Sequence, residues 1–243
     1  MTNEIFPELP DSAMVLAAGY GLRLRPLTLS RPKPLVRVGG MTLIDRTLDR
    51  LAEAGIRRAV VNLHYRGDML EAHLAQRTEP EIVFAREEVL LDTGGGVLNA
   101  LEHFGGAPFL AVNSDMIWRD GFGSTLQRMG RAFDPETMDA LLLLMPTVFA
   151  IGYRGAGDFT MAPDGRLTRK RRGRVAPFLF TGIQILKPDL FEGMEVEPFS
   201  LNRIYDLAAE RGRLFGIRHE GDWVDVGTRP ALELAEAFLK QVT

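Results

Sequence analysis

Cysteine is absent from the 243-residue sequence. The chain can therefore form no disulfide, cannot use a thiol nucleophile and cannot hold a cysteine-ligated zinc ion or iron–sulfur cluster. A strong charge of one sign is also missing, since 29 lysines and arginines face 32 aspartates and glutamates, a formal net charge of −3. This balance argues against a general nucleic-acid coat protein, which needs a marked basic excess.

Long apolar runs are missing as well. The longest, such as residues 140–145, are far shorter than a membrane span. The acidic N-terminal segment also lacks the apolar core of a signal peptide. With 46% hydrophobic and 25% charged residues, the composition is ordinary for a globular protein. We therefore expect a protein that binds neither membranes nor nucleic acid. We also expect it to be cytoplasmic, which fits the lack of cysteine.

Short apolar segments alternate with helical patterns through the first 145 residues. The segments at 13–18, 58–63 and 108–113 are mostly apolar and do not alternate with polar residues, as expected for strands buried on both faces. They predict an α/β fold, a Rossmann-like mixed, mostly parallel sheet with helices on both faces. After Pro146 a hairpin-like pattern and further strands follow, which we expect to extend the same sheet.

Two glycines follow the first predicted strand. Gly19 and Gly21 would let backbone N–H groups approach phosphates closely. A dinucleotide-binding turn needs a third glycine where this chain has Leu24, and the Gly-Lys-Ser/Thr of a Walker A loop is absent. By themselves the two glycines fit a simple tight turn equally well.

Two cations accompany these glycines. Arg23 lies two residues after Gly21, and Lys33 lies between Pro32 and Pro34. We expect the prolines to hold the backbone extended and to fix the direction of the lysine. An arginine and a lysine fixed beside a glycine turn suit a triphosphate on which negative charge develops.

Together these residues resemble the signature of the sugar-1-phosphate nucleotidyltransferases, a strand followed by G-x-G-x-R-x-x-P-L-T and then P-K-P. The matching residues are Gly19, Gly21, Arg23, Pro26, Leu27, Thr28, Pro32, Lys33 and Pro34. Leu22 departs from the pattern, since the family commonly has Thr or Glu there. The likeness continues through residues 91–96, 112–115, 180–183 and 223–228, so it covers nearly the whole chain.

The resemblance implies a single domain over residues 1–243. It would comprise a leading tail (1–12), a nucleotide-binding half (about 13–145) and a sugar-binding half with a C-terminal helix (about 146–243). Residues 91–96 are predicted to form a glycine-rich loop that leads into a helix. This loop and residues 86–91 before it (together the base-side segment) would lie along the nucleobase, although a flexible turn also fits the loop. The implied nucleotide-binding residues are Leu16, Ala17, Ala18, Gly19, Gly21, Thr93, Gly94 and Asn113.

The resemblance also assigns the chemistry. Arg23 would contact the leaving phosphates and Lys33 the α-phosphate region, and these two would be the catalytic residues. Asp158 and Gly182 would bind the sugar phosphate. The basic run at residues 166–174 fits a solvated hairpin better than a sugar-phosphate site.

Two aspartates are candidates for holding Mg²⁺. Asp115 follows the apolar strand at 109–112, and Asp225 lies between two valines, where an unpaired carboxylate would be costly. Mg²⁺ prefers carboxylate oxygens, although an aspartate at a strand end is more often a helix cap or turn residue. The resemblance implies that Asp115 and Asp225 share one Mg²⁺ with the nucleotide phosphates.

Within the family, the likeness is strongest to the uridylyltransferases of cell-wall (peptidoglycan) recycling that act on N-acetylmuramic acid 1-phosphate. The expected partners are therefore UTP and a sugar 1-phosphate, bound by a monomer or small homo-oligomer. Two alternatives stay open. One is guanylyl transfer to mannose 1-phosphate, with Glu87, Glu88 or Asp92 as the extra acceptor that guanine needs. The other is a non-catalytic, nucleotide-sugar-sensing regulatory subunit, which would be expected to lose one of the four charged residues.

Overall fold

The computed structural model describes residues 9–240. This part of the chain contains thirteen β-strands: β1 Ser12–Leu16, β2 Arg37–Val38, β3 Met41–Thr42, β4 Arg58–Leu63, β5 Glu81–Arg86, β6 Phe109–Asn113, β7 Met116–Arg119, β8 Ala140–Pro146, β9 Phe159–Met161, β10 Leu167–Arg169, β11 Phe178–Leu186, β12 Leu214–Arg218 and β13 Asp222–Asp225. Its six α-helices are α1 Leu43–Glu53, α2 Gly67–Leu74, α3 Asp92–Asn99, α4 Thr125–Ala132, α5 Asn202–Glu210 and α6 Arg229–Lys240. Residues 1–8 of the predicted leading tail and residues 241–243 of the predicted C-terminal half lie outside the described residues.

Nine of the strands form one mixed sheet. Strands β6, β1, β4 and β5 lie side by side in that order and run parallel. Strand β11 pairs antiparallel with β6, β8 and β9, while β12 runs parallel to β8. The predicted Rossmann-like mixed sheet is confirmed, and β9 to β12, which follow Pro146, do extend it, whereas β13 pairs with β7 in a separate two-stranded sheet.

Helices cover both faces of this sheet. Successive residues of a strand point to opposite faces, so Ala13 and Val15 of β1 belong to one buried cluster and Met14 to the other. Helices α1, α2 and α4 pack their apolar residues into the first cluster, whereas α3 and α5 pack into the second. The central parallel strands are therefore buried on both sides, which explains why their sequences are mostly apolar and do not alternate.

A third, smaller apolar cluster joins the end of the chain to its middle. Strand β13 pairs antiparallel with β7. Ile117 of β7, Val224 of β13 and Ala235 of α6 belong to this cluster. Because β7 begins three residues after β6 ends, this pairing holds β13 close to the carboxyl end of β6. Ligands of open α/β sheets gather at that edge, so the pairing brings a late segment of the chain to the place where a site is expected.

The predicted loop at residues 91–96 is wrong in its secondary structure. Gly94, Gly95 and Gly96 are buried within α3 instead of forming a turn before a helix. A Cβ added at Gly95 would overlap the carbonyl oxygen of Glu197. Tight packing against the segment 197–199, which sequence spacing does not show, thus accounts for glycines in a helical position.

No helix between residues 9 and 240 has both the length and the apolar character needed to cross a membrane.

Candidate active site

A cleft of about 460 Å³ opens at the carboxyl edge of the parallel strands. This volume is within the range of small-molecule sites in proteins. The residues that line it are Leu16, Ala17, Ala18, Gly19, Gly21, Leu22, Arg23, Lys33, Pro34, Asn62, Leu90, Asp92, Thr93, Asn113, Ser114, Asp115 and Gly227. Most of the residues that the sequence assigned to the nucleotide and to catalysis therefore lie together.

The turn after β1 forms one wall of the cleft. Gly21 has a φ of 61°, a left-handed conformation that side chains disfavour. A Cβ there would also lie 3.0 Å from Lys33 Cβ and 3.0 Å from Thr28 Cγ2. The Thr28 hydroxyl donates a hydrogen bond to the Gly21 carbonyl at 2.9 Å. Both the backbone conformation and the close packing therefore require glycine at position 21.

Lys33 begins a 3₁₀ turn, Lys33–Leu35, so the expectation of an extended backbone at this lysine is wrong. The backbone of Pro32 is extended, but the Val36 N–H then donates to the Lys33 carbonyl and closes the turn. The side chain is nearly buried, and its Nζ lies 2.6 Å from Asp115 Oδ2. The direction of the lysine side chain is thus fixed, as predicted, but the 3₁₀ turn and the ion pair with Asp115 are what fix it.

The two predicted metal ligands are brought to the same end of the β7–β13 ladder. Asp225 is opposite Met116 in that pairing, and Asp115 is the residue before Met116. The Gly227 N–H donates to Asp225 Oδ1 at 2.7 Å and so orients this carboxylate. Gly227 lines the cleft, and a Cβ on it would lie 2.7 Å from Arg23 Nη2. Arg23 therefore lies against the segment that carries Asp225.

This donor set fits Mg²⁺. One oxygen of Asp115 is paired with Lys33 and one oxygen of Asp225 accepts from Gly227, so each carboxylate retains its other oxygen. Between residues 9 and 240 there is no group of three or more His, Cys, Asp or Glu side chains suited to a metal ion. Mg²⁺ is commonly held by one or two carboxylates together with substrate phosphates and waters, so a pair of aspartates near the turn after β1, which was predicted to bind phosphates (the phosphate turn), fits that kind of site.

The base-side segment, residues 86–96, was predicted to lie along the nucleobase. It contributes Leu90, Asp92 and Thr93 to the cleft. The Thr93 hydroxyl oxygen accepts a hydrogen bond from the Leu201 N–H at 3.0 Å, which ties α3 to the start of α5. Gly94 does not line the cleft, and its N–H donates to the Phe199 carbonyl at 2.8 Å. Its assignment as a nucleotide-binding residue stays a prediction.

The two residues predicted to bind the sugar phosphate, Asp158 and Gly182, do not line the cleft. Gly182 has a φ of 89°, and a Cβ on it would lie 2.9 Å from Asn113 Nδ2, so it supports Asn113 from behind. Asp158 Oδ2 accepts a hydrogen bond from the Phe180 N–H at 2.9 Å. Burial raises the pKa of Tyr153, and the nearby charges of Asp158 and Asp225 raise it further. Tyr153 therefore stands within electrostatic range of both aspartates.

The basic run at residues 166–174 does not line the cleft. Arg166 is paired with Asp164 and Arg169 with Asp206. Arg171, Arg172 and Arg174 are exposed.

Sequence reasoning gave no role to Asn62. It lies near the end of β4, is 2% exposed and lines the cleft. Its Oδ1 accepts from the Ala17 N–H at 2.6 Å, and its Nδ2 donates to Glu87 Oε1 at 2.6 Å. The sequence does contain one indication of a role for Asn62, since it is a polar residue within the largely apolar strand Arg58–Leu63.

Comparison with known proteins gives consistent results. Residues 12–147 match the family described as nucleotidyl transferase. The chain is 42% identical to the N-acetylmuramate alpha-1-phosphate uridylyltransferase of Caulobacter vibrioides over 96% of this chain and 99% of that protein. The enzyme of the same name from Neisseria meningitidis is 34% identical over 93% of this chain and 97% of its own length.

A relative with another printed specificity also matches. The mannose-1-phosphate guanylyltransferase catalytic subunit beta of Drosophila pseudoobscura pseudoobscura is 30% identical, over 88% of this chain and 58% of that protein. Among solved structures, a UDP-glucose pyrophosphorylase complexed with UDP-glucose superposes with a TM-score of 0.76 at 18% identity, covering 95% of this chain and 98% of that one. At this identity the structural likeness shows a shared fold.

Proposed function

The chain belongs to the nucleotidyl transferase family, and on that basis we propose that it transfers a uridylyl group from UTP to a sugar 1-phosphate. The products are a UDP-sugar and pyrophosphate. The proposed sugar substrate is N-acetylmuramic acid 1-phosphate, because the relatives at 42% and 34% identity carry that activity in their names. Both of them are matched over almost their full length.

The observation that carries the proposal is the grouping of charges around one cleft. Arg23, Lys33 and Asp115 line it together with the glycine turn, and Asp225 is hydrogen-bonded to Gly227 on the same wall. In the proposed reaction a sugar-phosphate oxygen attacks the α-phosphorus of UTP, and pyrophosphate leaves in line. The attacking phosphate is already an anion at neutral pH, so positioning and charge neutralisation carry the catalysis without a general base.

Each residue has a part in this scheme. Arg23 neutralises charge on the leaving phosphates, and Lys33 donates toward the α-phosphate region, exchanging its partner Asp115 for the substrate. Asp115 and Asp225 hold Mg²⁺, which when bound lowers the repulsion between the two anionic substrates. The remaining cleft walls bind the nucleoside, with Thr93 and Asn113 as side-chain contacts. Asp158 and Gly182 act at the sugar phosphate.

Two of the three acceptors considered for guanine are not placed to bind it. Glu87, one of the three acceptors considered for guanine, is 6% exposed. Its two carboxylate oxygens already accept hydrogen bonds from Asn62 and from the Leu91 N–H. Glu88 does not line the cleft. Of the three acceptors considered, Asp92 is the one that lines it. A uracil edge, with one N–H between two carbonyls, needs no such extra acceptor.

A non-catalytic regulatory subunit on the same fold is less well supported. Such a protein would be expected to lack Arg23, Lys33 or one of the two aspartates, and this chain has all four. The test is an assay of the purified protein with Mg²⁺, four nucleoside triphosphates and several sugar 1-phosphates, read out as pyrophosphate release. We expect turnover with UTP. A protein that binds nucleotide but releases no pyrophosphate with any pair would support the regulatory alternative instead.

A further inference from the structure

A continuous chain of hydrogen bonds connects the two walls of the cleft. It starts at the Ala17 N–H in the phosphate turn, passes through the side chains of Asn62 and Glu87, and ends at the Leu91 N–H just before α3. The three donor–acceptor distances are 2.6, 2.6 and 3.0 Å. Asn62 and Glu87 are 2% and 6% exposed, so water cannot readily replace these bonds.

The polarity of this chain is fixed from both ends. A backbone N–H can only donate, so the oxygen of the Asn62 amide must face Ala17 and its nitrogen must face Glu87. The Leu91 N–H takes the second carboxylate oxygen of Glu87. Each of the three donors therefore meets an acceptor, and turning the Asn62 amide over would leave the Ala17 N–H facing an NH₂ group and Glu87 Oε1 facing an amide oxygen.

A second, more exposed chain runs alongside the first. The Glu87 carbonyl lies 3.0 Å from His64 Nδ1, which must therefore carry the proton, and His64 Nε2 lies 3.2 Å from the Tyr20 hydroxyl. Tyr20 belongs to the same turn as Ala17. The phosphate turn is thus joined twice to the segment at residue 87, once through buried side chains and once at the surface.

Gly96 leaves room for the buried pair. A Cβ on this residue of α3 would lie 2.7 Å from Glu87 Oε1 and 2.8 Å from Asn62 Nδ2. The third glycine of the run at 94–96 therefore packs against Asn62 and Glu87, whereas its two neighbours pack against residues 197–199.

We infer that Asn62 and Glu87 are positioning residues for the nucleotide, which fix the phosphate turn relative to the base-side segment. This inference rests on the proposed function, in which the triphosphate and the base bind to those two walls. Glu87 acts through its neighbours and does not read the base. Because the two walls of the cleft are already held at a fixed distance, nucleotide binding has to order less of the protein, which lowers the entropic cost of binding.

An exchange of polarity tests the inference. Asn62→Asp places a second carboxylate against Glu87 Oε1. Glu87→Gln places an NH₂ group against either the Asn62 NH₂ or the Leu91 N–H. The double variant restores every pair, because the new carboxylate at position 62 would accept from the Ala17 N–H and from the new amide at position 87, whose oxygen would still accept from the Leu91 N–H. The net charge and the shapes of both side chains are kept in the double variant.

The readouts are the dissociation constant of UTP by calorimetry, KM for each substrate, and the melting temperature. We expect each single variant to weaken UTP binding about tenfold or more, as a buried unpaired polar group does. KM for the sugar 1-phosphate should change far less, and the double variant should return within about threefold of the wild type. Asp139→Asn is the matched control, since Asp139 is a buried carboxylate paired with Arg213 outside the cleft. It should lower the melting temperature without changing UTP binding.

Three results would overturn the inference: single variants that bind UTP like the wild type, a double variant that binds UTP no better than the singles, or an Asp139→Asn control that loses as much UTP binding as the singles for a similar fall in melting temperature. A wild-type protein that binds UTP without turning over any sugar 1-phosphate would reject the proposed transfer alone, because the binding measurements still test Asn62 and Glu87. A wild-type protein that binds no nucleoside triphosphate would reject both.

Discussion

Replacing Lys33 with methionine separates charge from packing at the centre of the site. Methionine fills a similar volume and removes the ammonium group, whose Nζ lies 2.6 Å from Asp115 Oδ2. The lysine side chain is 10% exposed and the aspartate side chain 39% exposed. The ion pair is therefore intermediate between a surface pair, worth about 0–1 kcal/mol, and a buried pair whose disruption costs about 3–5 kcal/mol.

The partial exposure of Asp115 sets the expected loss of stability. Water can hydrate this carboxylate after the lysine is removed, so Lys33→Met should lower the free energy of unfolding by about 1–2 kcal/mol. For a chain of this size that corresponds to a melting temperature lower by about 2–8 °C. The protein should remain folded at 25 °C, where kinetics can be measured.

The expected loss of activity is larger than the loss of binding. If Lys33 acts on charge that develops in the transition state, kcat should fall on the order of 10²–10³-fold while KM for UTP changes by less than about threefold. Steady-state kinetics by pyrophosphate release measure both constants. Lys187→Met is the matched control, because Lys187 donates to the Pro135 carbonyl and is remote from the cleft. Equal losses in kcat and affinity, or a loss in affinity alone, would refute this reasoning and make Lys33 an ordinary binding residue.

Three further predictions concern the rest of the site and the fold. Asp115→Asn should lower the rate with Mg²⁺ on the order of 10²-fold or more, and near-normal turnover would remove Asp115 from the metal shell. Gly227→Ala should lower kcat about 10²-fold, because its methyl carbon would lie 2.7 Å from Arg23 Nη2 and 2.9 Å from Asp225 Oδ1 and displace one of them; an unchanged kcat would show that neither position matters. Burial lowers the pKa of His219, so the unfolded chain takes up its proton first as the pH falls. The free energy of unfolding should therefore decrease below about pH 6.5, and urea unfolding of His219→Gln between pH 5 and 8 should show a smaller decrease than the wild type.

Local sequence patterns were enough to predict the parts of the site that lie on one short segment of the chain. The strand, the two glycines and the lysine between prolines lie within 22 residues of one another, and Leu16, both glycines and Lys33 do line one cleft. Gly21 could be predicted because its left-handed φ is a property of the turn itself. The approach of Asp115 to that turn followed from the rule that parallel strands end at one edge.

Contacts between distant segments account for what the sequence did not predict. Strands β7 and β13 have four residues each, and they are held by their pairing and by α6 more than by any pattern of their own. The glycines of α3 have low helix propensity, which favours a loop until their contacts with residues 197–199 are known. Asn62 and Glu87 are ordinary polar residues in the sequence, and only the parallel pairing of β4 with β5 brings them together.

Competition kinetics with two triphosphates and two sugars test the central claim most directly. UTP and GTP would be combined with N-acetylmuramic acid 1-phosphate and with mannose 1-phosphate, in the presence of Mg²⁺. A site built to pair with one base edge rejects the other strongly, because its buried polar groups would be left without partners. We predict the highest specificity constant for UTP with N-acetylmuramic acid 1-phosphate. A higher value for GTP with mannose 1-phosphate would contradict the uridylyl assignment, and the absence of pyrophosphate release with every pair would contradict nucleotidyl transfer itself.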